Sequence, residues 1–466
     1  MAAVDEIRHD TASLYRFINS VCASCDSREA GRTYPPASDD LLAYIRELGD
    51  CTRLFLETFP ATVPLDSSYN FYRQKLLTLR SCWFELHQYI KPTADAHTLS
   101  LPGPLIEGLL RRFRQLPGFA DSRFAVFHIE KLNYLQVVAS GVRAIAGQMA
   151  SIIPNAPSFP SNLGLLGIPY SQGSSVFLNC LIPHEMAHFA YGENGAIRAA
   201  LLPRLASSLT RAFAGLPPLD PQNIALLMDW LESWTEEVFC DLFAIWLVGP
   251  CYSFAFIEIF DLTNILDSAG GLNSFGTSPY SEFFPSHPSS LFRIKQHLAL
   301  LERLDWWPQF NRTKSHYYKV LELSNSLVDG HFAFSKGQNM GTKALEAFFD
   351  VVPAIHEQVN LLMSSLDTGL AEYKVSHHAV QEYLKNGVVP STIPSIEHST
   401  KVFPSPVTVL NAAYSLYLES LDTLISGIAN QDPSSIRDRQ KWAEKLESWA
   451  SKAIEDHGLL ISQKAG

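Results

Sequence analysis

The sequence predicts a predominantly helical α+β protein. Apolar residues recur at helical spacing near both ends of the chain, and a stretch rich in proline, glycine and serine interrupts them in the middle. A short apolar run, "SVFLNCLI", then fits either a strand or the approach to a helix.

Each element has its own signal. Leu14, Phe17, Ile18 and Val21 form one apolar face of a first helix. Leu41, Leu42, Ile45 and Leu48 repeat the pattern after an "SDD" start signal, with Pro35-Pro36 between the two segments. "LPGPLIEGLLRRFRQLPGF" gives a short helix bounded by proline and glycine. Residues 153–175, "IPNAPSFPSNLGLLGIPYSQGSS", read as loop and turn. Pro183 suits the first turn of a helix, where its missing N–H costs little. Beyond Asn311 the chain turns helical again. Asp432-Pro433 resembles an N-cap with proline at the first helical position, and Trp442, Leu446, Trp449 and Ala453 mark a core-facing stripe. Three regions follow from this layout: a helical N-terminal region over 1–120, a central core over 121–305 and a helical C-terminal region over 306–466.

Composition narrows the function classes. A chain of 466 residues with 47% hydrophobic and 18% charged residues can bury a sizeable core. A net charge of -11 argues against a nucleic-acid partner, because phosphate binding wants a basic face. The opening "MAAVDEIRHDTASLYRF" lacks the basic and then apolar pattern of a secretory signal. The most apolar stretch, Val238 to Phe260, carries Asp241 and Glu258 and is broken at Gly249-Pro250. A membrane span needs about 20 residues with few or no charges. The stretch therefore predicts a buried helix, a break and a second buried element, with no membrane span. Seven dispersed cysteines, including a lone pair at Cys22 and Cys25, do not form a disulfide framework and point to a reducing, cytoplasmic location.

The chemistry centres on "NCLIPHEMAHFAYGE". On a helix, residues four apart share one face, so His184 and His188 can aim imidazole nitrogens at one cation, with Glu185 beside them. Zinc accepts such ligands and, in catalytic sites, keeps its fourth position for water. A third ligand must come from elsewhere. Tyr191 and Asn194 stand where the metzincin motif requires glycine and histidine, which excludes that class. "ESWTEEVFCDLFAIWLV" offers Glu237 and Asp241, four apart in an otherwise apolar segment. Burying two carboxylates there is costly unless something neutralises them. A cation on Glu237 would do so, with Asp241 accepting the free N–H of a ligand histidine. Glu236 lies about 100° round the helix and lacks an aligned Asp, which makes it the weaker choice.

HEMAH followed by E-x-x-x-D resembles the gluzincin metallopeptidases. Ser286-His287-Pro288 with Arg293-Ile294, in "FPSHPSSLFRIKQH", is similar to a segment of the CAAX-prenyl-protease and heat-shock membrane-protease family. The likeness spans roughly residues 125–300 and lacks that family's membrane spans. It implies a small α+β catalytic core, with an edge strand near "GSSVFLN" against which a peptide can lie. It also implies His184, His188 and Glu237 as ligands of one Zn2+, and Glu185 as general base. Asp241 becomes the partner of a ligand histidine, and His287 and Arg293 support the site, His287 as an oxyanion donor. The expected function is a zinc-dependent peptidase acting on a peptide or protein through a metal-activated water. The alternatives are a helical interaction protein with an inert or structural zinc, and a zinc hydrolase of a non-peptide amide.

Overall fold

In the computed structural model the described residues are 2–26, 37–58, 67–95, 103–129, 135–136, 139–169, 175–215, 220–259, 287–288, 290–310, 317–322, 339–394, 401–427 and 431–465. Pro35-Pro36, Ser286 and Asn311, and residues 170–174 of the proline-rich stretch, lie outside them. Two units result: residues 1–103 with 121–174, and residues 104–120 with 175–466.

The first unit begins with helices α1 (Ala2–Asp26), α2 (Ser38–Glu57) and α3 (Ser67–Asp95). Their apolar spacing becomes burial: Leu14, Ile18 and Val21 on α1 and Leu41, Leu42, Ile45 and Leu48 on α2 are shielded from solvent. Gly49 lies inside α2 because a Cβ there would meet Cys22 Sγ at 2.4 Å. Cys22 and Cys25 are both buried on α1, and all seven cysteines are free thiols.

Strand β1 (Arg123–Ile129) pairs in parallel with β3 (Leu163–Pro169), and β2 (Leu135–Gln136) adds to β3 antiparallel, giving the order β1-β3-β2. Helix α5 (Ala139–Ala150) lies between β2 and β3 in sequence. Here the loop expected over 153–175 is corrected, since "LGLLGIP" within it is a strand buried at every position. The punctuating glycines serve packing instead. Gly164 stands beside Phe124 and Gly167 beside Phe127, so residues without side chains leave room for two buried rings.

The second unit holds α4 (Gly103–Phe113), which starts at the unit boundary, and a run of packed helices: α6 (Ile182–Glu193), α7 (Gly195–Ala212), α8 (Pro221–Val248), α9 (Cys251–Ile259) and α10 (Ser290–Arg303). Later come α11 (Asn339–Met363), α12 (Leu370–Lys385), a small β4–β5 pair (Ile393–Pro394 with Lys401–Val402), α13 (Pro406–Ser426) and α14 (Ile436–Ala465). "SVFLNCLI" is no strand. Ser175 Oγ accepts the Leu178 N–H at 3.1 Å and its carbonyl accepts the Asn179 N–H at 3.1 Å, winding the segment into a turn and a short 3-10 helix, Leu178–Leu181. The edge strand expected at "GSSVFLN" is therefore absent from its described residues, 175–179.

Pro183 opens α6 as expected. Asp220 caps α8 by accepting the Gln222 N–H at 2.9 Å, and Gly249 ends it with φ 73°. The apolar stretch thus breaks where Gly249-Pro250 predicts, between α8 and α9. No helix among the described residues is long and apolar enough to cross a membrane. At the far end, Asp432 caps only a turn, accepting the Ser434 N–H at 2.9 Å. Helix α14 begins at Ile436, where Ser435 Oγ accepts the Asp438 N–H at 3.3 Å. Its stripe of Trp442, Leu446 and Ala453 is buried, with Trp449 packed edge-on against Trp442 at 6.0 Å. The fold is α+β and predominantly helical.

Candidate metal centre

Helices α6 and α8 pack against each other and bring the two motifs together. The core beneath them is aromatic: Phe189 of α6 and Phe243 of α8 both contact Phe113 of α4. Because His184 and His188 lie one turn apart on α6, and Glu237 and Asp241 one turn apart on α8, one helix–helix contact aligns all four.

One atom each from His184, His188 and Glu237 lie within 4.8 Å of one another. His184 Nε2 is 3.4 Å from Glu237 Oε2, and His188 Nε2 is 3.6 Å from Glu237 Oε1. Ligands about 2.05 Å from a tetrahedral Zn2+ stand about 3.3 Å apart, near the two histidine–Glu237 distances, which run to different oxygens of that carboxylate. Buried Glu237 Oε2 also has Arg293 Nη2 at 3.2 Å, so the carboxylate already faces one fixed cation. A group of two imidazoles and one carboxylate that could hold a metal is thus present.

The opposite edge of each imidazole is tied down. His188 Nδ1 lies 2.8 Å from Glu236 Oε1. His184 Nδ1 is 3.0 Å from Asp241 Oδ1 and also bonds to the Tyr252 hydroxyl, 3.2 Å away. That hydroxyl donates in turn to Asp241 Oδ1. Asp241, with no exposed surface, also receives Arg293 Nε at 2.7 Å and Arg293 Nη2 at 2.6 Å. Buried His297 brings Nε2 to 3.2 Å from Asp241 Oδ2.

Electrostatics follow from this crowding. Burial pushes both carboxyls up, but Arg293 and His184 hold Glu237 well below the usual carboxylate range, and Arg293 does the same for Asp241. Burial pushes His184 down, yet Asp241 and Glu237 more than offset it and raise its pKa to about 10. Glu236 raises His188 against burial in the same way. An arriving cation competes with protons for these nitrogens.

Glu185 sits half-buried in the first turn of α6, beside His184. His287 brings Nε2 to 3.2 Å from Glu237 Oε1 with its side chain 56% exposed, on the solvent side of the centre. It does not join the group of mutually close ligand atoms. Arg293 is buried, with Nη2 3.2 Å from Glu237 Oε2. All seven residues singled out in the sequence belong to these contacting helices or their immediate approach, His287 standing three residues before α10.

Sequence reasoning missed Tyr252 and His297, and weighed Glu236 only as a rival ligand rather than as the partner of His188. The E-x-x-x-D pattern drew attention to one aligned carboxylate pair, whereas two histidines need two partners, and the tandem Glu236-Glu237 supplies the second. His297 follows Arg293 by one helical turn and so faces the same carboxylate. Nothing in the sequence around Tyr252 marks it. Comparison of the chain with protein-family models, with curated proteins and with solved structures finds no match.

Proposed function

We propose that the protein is a zinc-dependent peptidase of the cytoplasm, with His184, His188 and Glu237 holding one Zn2+ and Glu185 acting as general base. One observation carries this reading: among the described residues three ligand atoms are grouped as a metal needs, while His287, on the exposed side, does not join them. A structural zinc has four protein ligands, whereas a catalytic one has three and an open position. A helical interaction protein with an inert zinc would instead call for a closed set.

The chemistry divides among the chain's own residues. When bound, Zn2+ supplies a water of lowered pKa and polarises a carbonyl oxygen. Glu185 takes the proton of the attacking water and delivers it to the leaving amine. His287, exposed and adjacent to the centre, donates to the oxygen on which negative charge develops. Glu236 and Asp241 keep the Nδ1 edges of the histidines occupied, so that their Nε2 atoms face the centre. Arg293 neutralises the buried carboxylates and does not touch substrate. The substrate is a peptide or protein.

The test is metal analysis of the purified protein, coupled to cleavage of a mixed peptide library by wild type and Glu185→Gln. The expected result is one zinc per chain in both proteins, with hydrolysis lowered at least about 100-fold in the variant. Equal hydrolysis by the variant rejects Glu185 as general base. A metal-loaded wild type that cleaves no peptide returns the site to a structural or non-peptide role.

A further inference from the structure

We propose that Tyr252 is a positioning residue of the metal centre, setting the orientation and tautomer of His184; the inference rests on the metal reading of the site. Proton bookkeeping carries it. Tyr252 has one hydroxyl proton, and the Asp241 carboxylate can only accept, so that proton goes to Asp241 Oδ1. The tyrosine oxygen is left as an acceptor, and the atom facing it at 3.2 Å is His184 Nδ1. Nδ1 must therefore carry the proton in the shared bond, and the lone pair of the neutral imidazole falls on Nε2, which faces Glu237.

Asp241 Oδ1 also approaches Nδ1 directly, at 3.0 Å, so the carboxylate and the tyrosine hydroxyl share the imidazole N–H. The two rings lie 8° from parallel, with their centroids 6.2 Å apart.

The phenol is held where it is by a distant part of the chain. The Asn411 side chain, on α13, accepts the Cys251 N–H at 3.0 Å and donates to the carbonyls of Val248 at 2.7 Å and Val407 at 2.8 Å. It braces the corner where α8 ends, one residue before Tyr252. Gly249 permits the corner through its φ of 73°, and a Cβ there would meet Asn411 Nδ2 at 3.0 Å. Tyr252 is therefore fixed at both ends, by the braced backbone and by Asp241.

The experiment measures Zn2+ dissociation constants by chelator competition, and Co2+ absorption spectra, for wild type, Tyr252→Phe and Tyr191→Phe. Tyr191 is the matched control, because it is a buried tyrosine on α6 whose hydroxyl makes no hydrogen bond. Loss of the Tyr252 hydroxyl should weaken Zn2+ binding at least about tenfold and shift the Co2+ bands, while Tyr191→Phe stays within about twofold of wild type. A Tyr252→Phe protein that matches Tyr191→Phe in both measurements overturns the inference and leaves the metal reading intact. A folded wild type that takes up neither Zn2+ nor Co2+ overturns the metal reading and this inference with it.

Discussion

The guanidinium of Arg293 grips the carboxylate of Asp241 with two parallel bonds, Nε to Oδ2 at 2.7 Å and Nη2 to Oδ1 at 2.6 Å. Its Nη2 also lies 3.2 Å from Glu237 Oε2, and its planar group stacks over the Phe256 ring at 4.7 Å. One fixed cation thus serves two carboxylates buried one turn apart on α8. A metal on Glu237 would share that burden.

Removing the guanidinium should leave Asp241 buried and under-compensated. Arg293→Leu is expected to destabilise the protein by about 3–5 kcal/mol. Arg293→Lys should recover only part of that, since a point charge cannot make the paired bond. Chemical denaturation of the two variants beside wild type measures this. Equal midpoints for Arg293→Leu and wild type would show that the pair contributes nothing to stability.

Glu236 aims the second histidine as Tyr252 does the first. Glu236→Gln should weaken Zn2+ binding about 10- to 100-fold without abolishing it. Glu237→Ala, which deletes a ligand, should remove the metal from the purified protein. Chelator competition and elemental analysis read the two outcomes. A Glu237→Ala protein with full metal content points to a different third ligand.

The Asn411 brace gives a prediction remote from the metal. Asn411→Leu orphans the buried Cys251 N–H and leaves the Val248 carbonyl with only the weak Cys251 thiol donor. The orphaned N–H costs about 1–3 kcal/mol. A lowered melting temperature is expected, and an unchanged one would mean the corner holds without the side chain.

Glu447 on α14 should impose a pH dependence of its own. Burial, reinforced by nearby Glu258, raises its pKa to about 7 against the pull of the Ser175 hydroxyl and the Val176 and Phe177 N–H groups. Tyr417 and Cys180 are the other titratable groups that feel its charge. Its folded pKa lies above the unfolded value, so the folded state holds this proton more tightly. Its contribution is fully present below about pH 4.5, declines as pH rises and levels off above about pH 7. Glu447→Gln should therefore gain stability over wild type at pH 8 and differ little at pH 5. A variant equally displaced at both pH values would contradict the assignment.

Much of the metal group was legible because it is local. The i, i+4 spacings of His184 with His188 and of Glu237 with Asp241 fix faces on a helix whatever the rest of the chain does. The same holds for Pro183 at the start of α6 and for the break at Gly249-Pro250. Strand β3 was hidden because its glycines and proline read as turn signals. Only pairing with β1 shows that Gly164 and Gly167 make room for Phe124 and Phe127.

Local residue pattern alone specifies the helical class, the candidate ligands and the buried character of the segment that carries Glu237. Tertiary structure decided which groups aim those ligands. Tyr252 reaches His184 from 68 residues away, Glu236 reaches His188 from 48, and Asn411 braces Cys251 from 160. Spacing along a helix is set by backbone geometry and can be read from a string of letters. A hydrogen bond between distant side chains exists only where packing places a donor and an acceptor about 3 Å apart, and no local pattern encodes that meeting.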